Sequence, residues 1–453
     1  MNLTISISLW QRAKQVLAGG PATLSKHPSR FAYGVSPIFL ESGDGYMVTD
    51  VDGNRFIDMI GALGPVLLGY GNHKVDETVM QQVRKGASFS LPHRLEVLVA
   101  ELLCDMIPCA EQVRFCKNGA DATQAAVRLA RYETGRRHVL CSGYHGHHDF
   151  YISSTDRNGG VLPVVSEYTH QFPWGNIPDL EVLLAEYADD VAAIIVEVPP
   201  GKWVAQEEQH AHNTGFLLSV ETFCRKRGIV FILDEIVTGF RYEEGGVQTL
   251  YGVLPDLVTF GKAMANGYPL AAVCGKRDLM RHFENGDVFL STTNGGEAVS
   301  LAAAYATLQQ VAGGGVVPAI QRVGQEIGDV LQQVIDLYKL PVELWGTPAR
   351  MVLKWLPVDG IPASALKTLW LQETIARGVL FGVPIFPTVA MDTPLAGRVV
   401  PNKIHGVAIG AASVINQAIM DSLLVNNISW YLRCPVVEDV FDRRLHTEEK
   451  QDA

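Results

Sequence analysis

The 453-residue chain lacks several features that would place it quickly. It has no C-x-x-C pair, and its seven cysteines (Cys104, Cys109, Cys116, Cys141, Cys224, Cys274 and Cys434) are an odd number. The cysteines read as reduced thiols of a cytosolic protein. Basic residues are not in excess: net charge is −11, which argues against nucleic acid or an anionic membrane as the main partner. A small anionic ligand stays open, because a local site overrides net charge. The opening "MNLTISISLWQRAKQVLAGG" has no basic start, apolar run and cleavage site in sequence, so no secretory signal is expected and the location is expected to be cytoplasmic. The least polar C-terminal stretch, "GVAIGAASVINQAIM", is short and carries Asn416 and Gln417, which suits a core segment better than a membrane span. No internal repeat and no Pro/Ser-rich linker divides the chain.

What is present is ordinary for a folded enzyme-sized protein: 47% apolar and 19% charged residues. The length exceeds what one compact core holds, so more than one domain is expected. Between residues 70 and 300, short runs rich in Val and Ile alternate with helical patterns: "QVRFC", "RHVLCSG", "VAAIIVEV", "GIVFILDE", "DLVTFGK" and "LAAVCGK". Such runs are the mark of an α/β domain with a mostly parallel central sheet and helices on both faces. Residues 31–60 alternate in polarity around Asp52-Gly53, a hairpin signal. Residues 300–340 read as long helices, followed by short strands near "ARMVLKWLP". The expected division is residues 1–69 as part of a smaller domain, 70–300 as the large domain, and 301–453 as the rest of a small α+β domain built from both flanks.

In open α/β sheets, ligands bind beyond the carboxyl ends of the strands. There the sequence places Asn118-Gly119-Ala120 leading into a helix, Tyr144-His145, Glu197, Asp234-Glu235 and Lys262. Each has a bland alternative. A Gly-containing turn is usually only a turn, an Asp ending a strand is often a helix cap, and a tyrosine usually packs. His145, His147 and His148 lack a second cluster at zinc spacing, so no metal site is assigned. The force lies in convergence. A phosphate seat at a helix N-terminus, an aromatic platform, a carboxylate at the end of a buried strand and a lysine form the set that pyridoxal phosphate needs.

Four segments, "FILDEIVTGFR", "PDLVTFGKAMANGYPLAAVCGKRDLM", "NGADATQAAVRLARYETGR" and "GYHGHHD", resemble the class III aminotransferases of fold type I, in particular their glutamate-1-semialdehyde aminomutase-like branch. "SPIFLESGDGYMVTDVDGNRFIDMIGALGPVLLGYGNHKV" is similar to the family's N-terminal segment, and the resemblance covers about residues 35–310. It implies pyridoxal 5′-phosphate as cofactor and a fold type I structure. It implies Lys262 as the Schiff-base lysine and proton carrier, Asp234 opposite the pyridinium nitrogen, Tyr144 stacked on the ring, with His145 beside it, and Asn118, Gly119 and Ala120 on the phosphate. Glu197 would stand beside the ring. Thr292 would reach the phosphate of a neighbouring subunit in a homodimer with shared sites, and Arg30 would meet a substrate carboxylate. The substrates implied are an amino donor and a carbonyl acceptor.

Three departures matter. The phosphate turn of the family usually carries Ser-Gly-Thr or Ser-Gly-Ser, and Asn118-Gly119-Ala120 has no hydroxyl to offer. Leu63 lies in the stretch where the aminomutase has Trp, and the segment "YISSTDRNGGVLPVV" is shorter than its long lid. These favour an intermolecular aminotransferase, acting within sugar, cell-surface polysaccharide or secondary-metabolite biosynthesis, over an aminomutase. The stretch "PIFPTVAMDTPLAGRVVPNKIHG" is expected to line the substrate side. A metal-dependent hydrolase or a non-catalytic protein of the same fold are the rival classes, and Lys262 with Asp234 speaks against the second.

Overall fold

The computed structural model describes residues 1–358, 360–392, 396–425 and 428–437. Of the stretch expected to line the substrate side, residues 393–395 lie outside the described residues. The strands, in chain order, are β1 Leu40–Asp44, β2 Met47–Asp50, β3 Arg55–Asp58, β4 Gln112–Cys116, β5 His138–Ser142, β6 Thr169–Gln171, β7 Val191–Val196, β8 Val230–Asp234, β9 Leu257–Phe260, β10 Ala271–Gly275, β11 Val342–Thr347, β12 Arg350–Trp355 and β13 Val379–Leu380. Seven of them form the central sheet in the order β4-β10-β9-β8-β7-β5-β6. β9, β8, β7, β5 and β6 pair in parallel, while β10 runs antiparallel to both β9 and β4. β4 therefore points the same way as the parallel strands. The carboxyl ends of β4, β5, β7, β8 and β9 all open on one edge.

Both faces of this sheet are buried, which is why its strands read as continuous apolar runs. Alternate residues divide between two cores. Ile194, Val196, Phe231, Leu233, Val258 and Phe260 pack on one face, against the helices Arg94–Met106, Gln206–Arg227 and Ala298–Ala312. Ala193, Ile195, Val230, Ile232 and Leu257 pack on the other, against the helix Gly119–Thr134. Fully burying each such side chain stabilises the fold by roughly 1.5–3 kcal/mol before entropy is subtracted. A third core joins the flanks. Ile57 and Met59 of the N-terminal part pack with the helices Val316–Tyr338, Ala363–Ala376 and Ala396–Val425 and with the β11–β12 hairpin. The two flanks also share a sheet, β1-β2-β3-β13, in which β13 pairs in parallel with β3.

The hairpin signal at Asp52-Gly53 is the β2–β3 connection, where Gly53 adopts a φ of 86° that other residues avoid. The segment "GVAIGAASVINQAIM" is part of the helix Ala396–Val425, with Ala408, Ala411, Ala412, Ile415 and Ala418 buried. Two features were not legible in the sequence. β6 has three residues, and β10 reads in sequence like its parallel neighbours although its direction is reversed. Among the described residues no helix is long and apolar enough to cross a membrane.

Candidate active site

The strand ends bring Asn118–Ala120, Tyr144, His145, Glu197, Asp234 and Lys262 to one edge. Asp234 ends β8 and is 2% exposed. Its Oδ1 accepts the Thr259 hydroxyl at 3.0 Å and the Ile236 N–H at 3.1 Å, and its Oδ2 lies 2.8 Å from Nδ1 of His145. A carboxylate has about four lone-pair positions, and these bonds use three. The other ring nitrogen of His145, Nε2, is buried without a hydrogen-bond partner.

Asn118 caps the helix Gly119–Thr134. Its side chain accepts the Asp121 N–H at 3.2 Å, and the Asp121 carboxylate accepts the Asn118 N–H at 3.2 Å. The helix itself supplies no acceptor for the amides of Gly119 and Ala120, which makes this end a seat for an anion. Close packing fixes where the seat lies. A Cβ on Gly119 would stand 2.9 Å from Ile236, two residues past Asp234, and one on Gly146 would stand 2.7 Å from Ala120. The Thr123 hydroxyl donates to the His145 carbonyl at 2.8 Å. The Asn118 turn, the Tyr144 turn and the Asp234 turn are thus mutual neighbours. Lys117 anchors the first of them from outside through its ion pair with Glu297 at 2.9 Å.

Lys262 follows β9 on the short turn Lys262–Ala265, at a φ of 36° that is unusual for a residue with a Cβ. Burial pushes its ammonium below the ordinary lysine pKa. Glu197 and Asp234 oppose that shift, while the Arg350 and Arg241 guanidinium groups add to it. Asn266 closes the turn at a φ of 44°. Its side chain accepts the Leu67 and Leu68 N–H groups at 2.9 and 2.8 Å and donates to the Gly69 carbonyl at 3.0 Å. Arg241, fully buried, donates to the carbonyls of Gly64, Val66 and Pro387. These clamps hold a strained wall: Gly61, Ala62, Leu63 and Gly64 all have positive φ. Burial pulls the Arg241 pKa down to about 9.

Tyr144 is exposed at the site, its N–H 3.4 Å from Glu197 Oε2. Glu197 Oε1 pairs with Nη1 of Arg350 at 3.0 Å. Thr292 is exposed and lines a separate cleft of about 880 Å³ with Glu96, Arg114 and Gly295. Arg30 ends the turn Pro28–Arg30 and is not among the charges acting most strongly on Lys262. His148 pairs with Asp121 at 3.2 Å, and among the described residues no group of three or more His, Cys, Asp or Glu is arranged to hold a metal ion. Sequence reasoning missed Thr259, Arg241, Asn266, Tyr242 and Arg350. Thr259 and Arg241 sit inside quoted motifs and were readable. Arg350 lies 88 positions beyond Lys262 in the chain, at a hairpin tip with no local signature.

A buried carboxylate with one acceptor position left, a buried amine and a helix N-terminus on one rim fit a phosphorylated cationic ring. The sheet order and this rim define a pyridoxal-phosphate protein of fold type I. The class III aminotransferase family profile matches residues 30–347, and the chain belongs to that family. Its cofactor is pyridoxal 5′-phosphate. The chain is 36% identical over 358 residues to a 3-aminobutyryl-CoA aminotransferase of Cloacimonas acidaminovorans, covering 79% of this chain and 83% of that protein. It is 35% identical over 346 residues to a glutamate-1-semialdehyde 2,1-aminomutase of Myxococcus xanthus, covering 72% and 78%. Its fold matches an omega-transaminase from Sphaerobacter thermophilus with a TM-score of 0.78 at 23% identity, over 90% of this chain and 97% of that one. A transaminase with pyridoxal phosphate bound matches with a TM-score of 0.80 at 24% identity, over 91% and 98%.

Proposed function

We propose that the chain is an intermolecular aminotransferase, taking an amino group from a donor and giving it to a separate carbonyl acceptor. Lys262 on the same rim as the Asp234 carboxylate supports amino-group chemistry, and Leu63 on the wall at residues 61–64 is the observation that favours transfer between molecules. When bound, the cofactor supplies an electron sink for the carbon that loses a proton. Asp234, held by Thr259, Ile236 and His145, would place a negative charge opposite the cofactor's cationic ring nitrogen. Asn118, Gly119 and Ala120 would seat the phosphate through backbone N–H groups, and Tyr144 would cover the ring. Lys262 Nζ, whose burial disfavours its charged form, would take the proton from the donor carbon and return it. Thr292 and the exposed apolar residues Leu91, Val97 and Phe289 support a homodimer in which Thr292 serves the partner's phosphate.

Intramolecular transfer, as the Myxococcus xanthus relative's name describes, is the second reading, favoured by the 35% identity. Leu63 on the clamped wall, in place of an aromatic residue, favours the first. The test is to load the enzyme with an amino donor, remove free donor by gel filtration, and add acceptor alone. Stoichiometric amination of the acceptor supports intermolecular transfer. Isomerisation of glutamate 1-semialdehyde with no transfer to any separate acceptor contradicts it. The acceptor is expected to belong to sugar, polysaccharide or secondary-metabolite chemistry.

A further inference from the structure

Three buried polar atoms around Glu197 are not fully paired. Nε of Arg350 meets no acceptor, and the phenol oxygen of Tyr242 and the hydroxyl of Thr347 have only each other. They share one neighbourhood. Thr347 and Arg350 face each other across the tip of the β11–β12 hairpin. Arg350, Thr347 and Glu197 all act on the Tyr242 phenol, and Glu197 and Arg350 act on Lys262. Tyr242 is 4% exposed, so its hydroxyl has no solvent to turn to. One of the two hydroxyls can donate to the other, so the Arg350 Nε–H and one O–H stay without an acceptor, and each such buried donor costs about 1–3 kcal/mol. A group rich in lone pairs is what the cluster lacks.

We propose that Arg350, Tyr242 and Thr347 form the subsite for a carboxylate of the amino donor, and so select amino acids over simple amines. The proposal rests on the aminotransferase reading and deepens it. Glu197 holds Arg350 through Nη1, which leaves the Nε–H as a second donor. A bound carboxylate therefore need not displace Glu197. Glu197 fixes the guanidinium plane, and the substrate meets its free edge. A planar fork suits this double duty, and an ammonium does not.

The test compares the wild-type holoenzyme with Arg350→Met, Tyr242→Phe and Thr347→Val. The donors are 3-aminobutanoate and isopropylamine, which differ by the carboxylate. Binding of propionate, with propionamide as the uncharged control, is followed by calorimetry. For Arg350→Met, KM for 3-aminobutanoate and the propionate dissociation constant should rise about 10–100-fold, and kcat/KM should fall much further for 3-aminobutanoate than for isopropylamine, whose turnover reads the loss of Arg350 beside Glu197 and Lys262 alone. Tyr242→Phe should weaken propionate by a smaller factor without loss of fold. The proposal is overturned if the wild type shows no propionate binding, if Arg350→Met lowers both donors alike, or if propionate affinity is unchanged in all variants, in which case internal water serves these atoms. A wild type that binds propionate through Arg350 but carries no cofactor would defeat the aminotransferase reading and leave the anion subsite standing.

Discussion

Asp234→Asn separates the charge at the base of the site from its geometry. Asparagine keeps one oxygen for the Thr259 hydroxyl and the Ile236 N–H, which now lie 3.0 and 3.1 Å from Oδ1. Its amide nitrogen replaces Oδ2, donates to Nδ1 of His145, and forces that ring's proton onto Nε2. Nε2 is buried with no partner, so the swap should cost about 1–3 kcal/mol of stability. The larger loss is chemical. A preorganised charge opposite a site of developing charge is worth about 10²–10³-fold in rate, and the neutral amide does not supply it. The assay is single-turnover donor deamination at saturating donor, with cofactor content checked by absorbance and fold by thermal melting. We expect a cofactor-loaded variant whose rate is lower by that factor. Full activity in a loaded, folded variant would refute the assignment of Asp234.

Two further outcomes follow from buried charges. Arg241→Leu leaves the carbonyls of Gly64, Val66 and Pro387 without their donor, at about 1–3 kcal/mol each, so a large drop in the urea midpoint is expected, with Arg241→Lys intermediate. An unchanged midpoint would show that the strained wall at residues 61–64 holds without this clamp. Burial lifts the Glu235 pKa from 4.5 to about 7, so the folded state binds more protons than the unfolded state between those values. The sign is fixed by linkage: this contribution is fully present below pH 4.5 and is lost as pH rises through 7, a change of about 3 kcal/mol. Melting curves from pH 4.5 to 8 should show the decline, and Glu235→Gln should flatten it.

Much of the site was legible because the chemistry follows directly on the strands. Asp234, Glu197 and Lys262 each stand within two residues of an apolar run, and a parallel sheet collects such ends on one edge. The cap at Asn118 was readable for the same local reason. What was not readable depends on tertiary contact. Arg350 reaches Glu197 from a hairpin 153 residues away, and Asn266 ties Lys262's turn to residues 67–69 nearly 200 positions earlier. The reversed direction of β10 escaped for a different reason. A strand buried on both faces carries the same apolar pattern whichever way it runs.

The most direct test of the central claim is the visible spectrum of the protein after addition of pyridoxal 5′-phosphate and desalting, before and after borohydride, with the modified residue mapped by mass spectrometry. The account predicts a retained band at ~400–430 nm, lost on reduction, and a single stable modification on Lys262. A protein that retains no cofactor, or one that is labelled at another lysine while Lys262 stays free, would contradict it.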